Sequence, residues 1–331
     1  MSAIKNIAIM AGGNSSEEEI SLRGARQIAS WLNPSKYKAY TIIVKGKSWT
    51  LKHPEHGDLL ISKDTFTATT AEQTICFDCA LIAIHGTPGE NGLLQAYFEL
   101  MEIPYTTGGV MNASVTFDKE AAKFPLQTLN VRLAKGIRIS KGQVVHPEEI
   151  VKTLGLPLFI KPNESGSSFG VSKVKKEEEI NHALQKAFTE DKVALVEEYI
   201  PGRELTCGLV KAKGKCIIFP ITEILSKTEF FDYEAKYKNL SEEVTPAKIP
   251  QELSDYIQDI SSEIYDRLKC RGIVRMDFIY NEKGGLYFLE VNTVPGMSEA
   301  SIIPQQVSTM GLTMGEIFSM VIEDAIERAR T

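Results

Sequence analysis

The residues best suited to chemistry stand on Arg275-Met276-Asp277-Phe278-Ile279-Tyr280 and on the returning run Leu286-Tyr287-Phe288-Leu289-Glu290-Val291-Asn292. Both runs are apolar and alternating, and the glycine-containing segment Asn281-Glu282-Lys283-Gly284-Gly285 joins them, so they read as an antiparallel hairpin. With Lys283 and Gly284 at the turn, Asp277 faces Glu290 and Arg275 faces Asn292. Alternation then puts these four polar groups on one face. Val274, Met276, Phe278, Tyr287, Leu289 and Val291 take the other, as core. Two carboxylates and an amide on rigid strands form a cradle of hard oxygens, the ligand type Mg²⁺ takes when it arrives with phosphates. An ordinary solvated face with a cross-strand charge pair has the same pattern. The remainder of the chain separates the two.

Phosphate-binding groups are the natural companions of such a face. Leu158-Phe159-Ile160-Lys161-Pro162 reads as a strand ending at a lysine, and Val171-Ser172-Lys173-Val174 resumes the strand pattern. The small-residue loop between them, Asn163-Glu164-Ser165-Gly166-Ser167-Ser168-Phe169-Gly170, can fold over phosphates and offer backbone N–H groups. Lys119, on a helical segment, and Lys161 would add point charges. Ala194-Leu195-Val196 leads into Glu197-Glu198-Tyr199-Ile200, a strand passing into a linker where an adenine could pair with backbone groups and a carboxylate. A flexible surface hairpin with solvated lysines is the competing reading of these segments.

The elements that must position these groups begin at Ile7-Ala8-Ile9-Met10, a strand followed by Ala11-Gly12-Gly13 and a helix carrying Ile20, Ile28, Trp31 and Leu32 on its apolar side. Strand, glycine turn and helix open a doubly wound α/β domain. The spacing is not Gly-x-Gly-x-x-Gly, which argues against a dinucleotide. Gly46-Lys47-Ser48 imitates a P-loop ending, but the required first glycine is Thr41 and no helix follows. Ala80-Leu81-Ile82-Ala83-Ile84 suits a buried parallel strand and delivers His85-Gly86-Thr87-Pro88-Gly89-Glu90-Asn91-Gly92 at its C-terminal end, where open α/β sheets bind ligands. Cys76-x-x-Cys79 has no second pair and reads as core thiols rather than half a zinc site. Thr106-Thr107-Gly108-Gly109 marks a domain boundary. The polar segment 231–239 suggests an active-site lid or simply a disordered loop. Pro250–Lys269 has helical spacing through Leu253, Ile257, Ile260, Ile264 and Leu268, and Thr313-Met314-Gly315-Glu316 is a capping box opening a last helix.

Length and composition bound the whole. At 331 residues the chain needs two or three domains. A formal net charge of −6 opposes general attraction to nucleic acid. No apolar run approaches the ~20 residues that span a bilayer, and the N-terminus lacks the pattern of a signal peptide. Five cysteines do not suggest a disulfide framework. The expected compartment is the cytoplasm.

In their order along the chain, His85-Gly86-x-x-Gly89-Glu90-x-Gly92, Gly166-Ser167-Ser168-x-Gly170, Tyr233-Glu234-Ala235-Lys236-Tyr237 and Glu290-x-Asn292-x-x-Pro295-Gly296-Met297 resemble the motifs of the ATP-grasp ligases, and most closely those of the D-alanine–D-alanine ligase family. The resemblance covers essentially the whole chain. It implies an α/β fold with α+β character in the C-terminal half. An N-terminal doubly wound parallel-sheet domain (residues 1–107) would bind substrate. Two ATP-grasp subdomains would follow, a central one (108–196) and a C-terminal one (197–331) with the metal and catalytic site. ATP would lie between these two. Its phosphates would meet Lys119, Lys161, the Ser167-Ser168 loop and Lys236, its adenine Glu197 and the backbone near Ile200, and its ribose Glu204. Asp277, Glu290 and Asn292 would hold two Mg²⁺ (or Mn²⁺) ions. Glu17 would receive the ammonium group of a first D-alanine and His85 would lie beside its carboxylate. Ser301 and the N–H of Ile302 would hold the carboxylate of the second.

The resemblance further implies ADP-forming dipeptide synthesis through an acyl phosphate, supplying peptidoglycan precursors, by a homodimer with no nucleic-acid or membrane partner. Arg275 and the Gly296 N–H would form the oxyanion hole for amine attack. Glu17, Ser167 and Tyr237 would be hydrogen-bonded together to close the site against water. Tyr at position 237 is what dipeptide-forming members carry. Asn91, Ser165 and Val294 depart from the usual pattern without touching a proposed metal ligand or oxyanion donor. A ligase using D-lactate or D-serine, another carboxylate–amine ligase, and a catalytically dead nucleotide-binding protein are the alternatives.

Overall fold

The computed structural model of the chain describes residues 3–226 and 241–329. Ile7 to Ala11, all buried, lie on β1 (Lys5–Gly12), which runs between two parallel neighbours, β2 (Tyr37–Lys45) and β7 (Cys79–Ile82). The helix α1 (Glu18–Trp31) connects β1 to β2, and it buries Ser21, Gly24, Ala25 and Ile28. The parallel arrangement extends no further than these strands and a parallel bridge between Ala80 and Tyr105. Beyond β2 the sheet continues as an antiparallel meander of β3 (Ser48–His53), β4 (Gly57–Ser62), β5 (Thr67–Thr69) and β6 (Thr74–Cys76). Gly46 and Lys47 form the β2–β3 turn, so the P-loop look-alike is a hairpin. Cys79 is buried as expected on β7, whereas Cys76 is exposed: it ends the edge strand β6, whose alternation turns Ile75 inward and Cys76 outward.

α2 (Leu93–Leu100), α3 (Val110–Phe117) and a 3₁₀ turn at Ala121–Leu126 lead into β8 (Arg132–Leu133). A four-stranded antiparallel sheet follows, built from β9 (Gly136–Ser140), β10 (Leu158–Pro162), β11 (Ser172–Val174) and β12 (Val193–Glu198) in the order β11-β10-β12-β9. α4 (Pro147–Leu154) and α5 (Ile180–Ala187) cover it, and Ile150, Ile160, Ile180, Leu184 and Val196 fill a core of its own.

The third sheet has the order β16-β15-β13-β17-β18-β8, with β14 beside β13. Its strands are β13 (Arg203–Ala212), β14 (Lys215–Ile218), β15 (Thr222–Ser226), β16 (Ser241–Val244), β17 (Gly272–Asn281) and β18 (Gly285–Asn292), besides β8. α6 (Gln251–Arg267) packs on it through Ile257, Ile260 and Ile264, the spacing expected of its sequence. α7 (Ile302–Thr309) and α8 (Met314–Arg328) complete the chain, and Thr313 and Glu316 cap α8 reciprocally. Ile303, Phe318 and Val321 share one apolar core with Ile7, Ile9 and Ile28. The first and third sheets are thereby joined, while the second stands over the gap between them with its separate core.

Candidate active site

β17 and β18 pair as the alternating pattern predicts at the polar end, with Arg275 opposite Asn292 and Asp277 opposite Glu290. A register shift between Asp277 and Phe278 then changes the pairing, so Phe278 faces Phe288. The extra residue on β18 reverses the alternation toward the turn. Leu286 and Phe288 are therefore in the core, and Tyr287 and Leu289, expected there, are only partly buried. Asn281 makes the turn with its own side chain, whose Oδ1 accepts from the N–H groups of Lys283 (2.9 Å) and Gly284 (2.6 Å).

Asp277 is the most engaged group of the face. Arg275 donates to both of its oxygens, Nε to Oδ1 at 2.9 Å and Nη2 to Oδ2 at 2.7 Å, and Asn292 donates to Oδ2 at 3.1 Å. Thr206, on the neighbouring β13, donates its hydroxyl to Oδ1. Burial would favour a neutral Arg275, but the Asp277 charge and hydrogen bonds outweigh it and hold the guanidinium ionised. Glu290 lies 3.8 Å from the ammonium of Lys119. Burial lowers the Lys119 pKa, with Glu290 opposing the shift. The face therefore offers carboxylate and amide oxygens already balanced by nearby cations, a donor set that fits Mg²⁺ accompanied by phosphates.

Lys161, next to last on β10, is paired with Glu197 on β12. Glu197 is also paired with Lys123, which in turn donates to the carbonyl of Ala134 at 3.1 Å. Burial alone would raise the Glu197 carboxyl, yet the two lysines hold it below its ordinary range. Sequence reasoning missed Lys123. No local signal marks it, since Lys119 lies in the turn after α3 and Lys123 on the 3₁₀ turn that follows.

The glycine-rich loop reaches across to the first sheet. Ser167 and Ser168 adopt φ values of 49° and 59°, which turns the loop tightly, and the Ser167 hydroxyl donates to Glu17 Oε1 at 2.5 Å. A Cβ on Gly166 would lie 2.6 and 2.7 Å from the Glu17 oxygens, so a side chain there would displace either the Glu17 carboxylate or the loop. Glu17, buried at the start of α1, and His85, three residues past β7, sit at the C-terminal ends of parallel strands where the connections diverge, a binding crevice of this class of sheet. Burial lowers the His85 pKa, Glu17 opposes this and Arg275 adds to it, leaving the imidazole neutral. Glu90, in the same loop, accepts from the Gly86 N–H at 2.8 Å, and burial together with Glu17 pushes its carboxyl up to about 8. Of the departures noted in the sequence, Asn91 bonds within this loop to Thr87, Ser165 supplies its carbonyl to Lys119, and Val294 is buried core.

Beyond Gly296 the chain turns through Ser298 and Ser301 into α7. Ser301 Oγ accepts from the Ser298 N–H at 3.0 Å and does not cap the helix. The first N–H groups of α7 are thus left for a ligand, the arrangement that favours an anion.

Every expected site residue among those described lines one cleft of about 510 Å³ between the three sheets. That includes Ile200 and Glu204 beside the Glu197 strand and Ile302 at the start of α7. Lys236 and Tyr237, and the expected lid around them, lie outside the described residues. Among the described residues no helix is long and apolar enough to cross a membrane.

Comparisons with known proteins bear on the chain as a whole. The family models described as "D-ala D-ala ligase N-terminus" and "D-ala D-ala ligase C-terminus" match residues 6–108 and 126–323. A D-alanine–D-alanine ligase of Bacteroides fragilis is 44% identical over 320 residues, 97% of this chain and 99% of that protein. The crystal structure of a D-alanyl-alanine synthetase A from Vibrio cholerae superposes with a TM-score of 0.87 at 26% identity, over 99% of this chain and 100% of that one. A D-alanine–D-alanine ligase from Bacillus anthracis complexed with ATP superposes with a TM-score of 0.77 at 27% identity, over 98% and 99%. Sequence and architecture agree over nearly the full length, and the chain belongs to the D-alanine–D-alanine ligase family, with its ATP-grasp fold.

Proposed function

We propose that this chain joins two D-alanines into D-alanyl-D-alanine at the expense of ATP, through an acyl phosphate, for peptidoglycan precursor synthesis. The observation that carries this reading is the convergence of three kinds of group on one cleft: the Asp277–Glu290–Asn292 face with Arg275, the phosphate-type loop at Ser167, and the uncapped start of α7. Each serves a different part of a ligation.

A carboxylate is a poor electrophile, so a carboxylate oxygen of the first D-alanine attacks the γ-phosphorus of ATP, ADP leaves, and the acyl phosphate forms. Glu17 and His85 hold that substrate, its ammonium and its carboxylate respectively. Lys119, Lys161 and Lys236 balance the phosphate oxygens under the Ser167-Ser168 loop, with Glu197, Ile200 and Glu204 around the nucleoside. Asp277, Glu290 and Asn292 would hold two Mg²⁺ (or Mn²⁺) ions, which supply charge neutralisation for phosphoryl transfer. The second D-alanine, its carboxylate held by Ser301 and the Ile302 N–H, then attacks the acyl carbon with its neutral amine, and inorganic phosphate leaves as the nitrogen gives up a proton. Arg275 and the Gly296 N–H meet the charge that develops on the acyl oxygen. Glu17, Ser167 and Tyr237 keep water from the intermediate.

The domain division at residues 107/108 and 196/197 and a cytoplasmic, homodimeric enzyme belong to the same proposal. Leu93, Leu100 and Met111, exposed apolar residues on α2 and α3, are surface that a second copy would cover. Sedimentation at micromolar concentration checks the assembly, a monomer contradicting it.

Incubation with ATP, Mg²⁺ and D-alanine tests the activity. ADP, phosphate and dipeptide appearing together support it. Tight ATP binding without turnover across D-amino and D-hydroxy acids would indicate a nucleotide-binding protein instead.

A further inference from the structure

β13 is paired with β15 as far as Thr206 and with β14 from Leu209 onward, leaving a gap between the two partners. The side-chain amide of Gln306, fully buried on α7, fills it. Its Oε1 accepts from the Gly208 N–H at 3.2 Å, and its Nε2 donates to the Thr206 carbonyl and to Thr222 Oγ1, each at 3.1 Å. The carbonyl of one strand residue and the N–H of the residue two further on point the same way, so one amide replaces the peptide group that a neighbouring strand would have offered. Gly208 permits this closeness, since a Cβ there would lie 2.4 Å from both Gln306 Oε1 and Ile303 Cδ1.

The apolar contacts of α7, through Ile303 and Val307, bury the helix without fixing its position along the sheet. Hydrogen bonds are directional, and those of Gln306 fix it. They hold the helix whose start carries Ser301 and Ile302 against the strand whose Thr206 hydroxyl bonds Asp277. We infer that Gln306 is a positioning residue, setting the second substrate's carboxylate site against the metal-type face so that the incoming amine meets the acyl carbon. This inference rests on the function proposed above.

The two half-reactions separate the possibilities. Hydroxylamine traps the acyl phosphate of the first D-alanine as a hydroxamate, displacing phosphate at the acyl carbon, and needs no second D-alanine. Gln306→Met keeps the side chain's length and removes all three hydrogen bonds. ATP-dependent hydroxamate formation should stay within about twofold of wild type. Dipeptide formation at low D-alanine should fall about tenfold or more, the scale on which misplacing a reacting group acts, and recover at high D-alanine. Thr222→Val, which removes one partner from outside the helix, should shift the same ratio by less. This second variant decides the matter if the first does not fold. Equal losses in both half-reactions, or none in either, would overturn the role of Gln306. Wild-type protein yielding neither hydroxamate nor dipeptide would instead overturn the proposed function.

Discussion

Arg275 and Asp277 stand two residues apart on one strand and are joined by a pair of parallel hydrogen bonds of 2.9 and 2.7 Å. The oxyanion donor and the metal ligand of the proposed mechanism are thus each other's counter-ion before substrates arrive. In Arg275→Met the buried Asp277 loses its cation, which costs on the order of 3 kcal/mol for a buried pair. Turnover should fall ~10²–10³-fold, as for other oxyanion donors, and the melting temperature should drop in Mg²⁺-free buffer. If the stability loss appears while the folded fraction turns over normally, Arg275 is structural only.

Glu290 has a lighter structural load, with Lys119 3.8 Å away and a partly exposed side chain. Glu290→Gln keeps the shape and removes the charge that would face a metal ion. Turnover should vanish while circular dichroism and melting temperature stay near wild type. Near-normal rates at saturating Mg²⁺ would remove Glu290 from the metal set.

A side chain on Gly166 would meet the Glu17 carboxylate where it bonds Ser167. Gly166→Ala should push the loop away, break the Ser167–Glu17 hydrogen bond and lower kcat about tenfold or more, the scale of small misplacements in an active site, with little change in stability. Ser167→Ala should reproduce part of that loss. A Gly166→Ala enzyme with wild-type kcat would mean that the loop contact is dispensable.

The Glu197 carboxylate is held ionised by Lys161 and Lys123 together. When Lys161 turns to a phosphate, Lys123 is the cation left to it. Lys123→Met should therefore raise the KM for ATP at least about tenfold, the loss expected for one charged hydrogen bond, and change kcat less. Lys123→Arg should recover part of it. An unchanged KM for ATP would show that Lys123 merely packs the segment.

Glu90 carries a pH signature. Its folded pKa, about 8, lies above that of an unfolded carboxyl, so between the two values the folded chain keeps a proton the unfolded chain has released. Its contribution is full below the unfolded pKa and is lost as pH rises toward 8. Glu90→Gln removes the dependence while keeping an oxygen for the Gly86 N–H. Relative to wild type, its melting temperature should rise more at pH 9 than at pH 5, and parallel profiles across that range would contradict the assignment.

Much of this protein is legible before folding. The alternation on Arg275–Tyr280 and Leu286–Asn292 determines which polar groups share a face, because strand side chains repeat every two residues. The helical spacing of Ile257, Ile260 and Ile264, the Thr313–Glu316 cap and the β10–β11 hairpin are likewise local properties of the chain. The tertiary structure alone decided the rest. The bulge after Asp277 depends on packing against neighbouring strands, and it exchanged Tyr287 and Leu289 for Leu286 and Phe288 in the core. Lys123 meets Glu197, and Gln306 meets Thr206 and Gly208, across separations of 74 and about 100 residues. Sequence periodicity carries no information about contacts at such range. They exist because three sheets, themselves held by pairings as distant as Arg203 with Tyr280, are packed around one cleft.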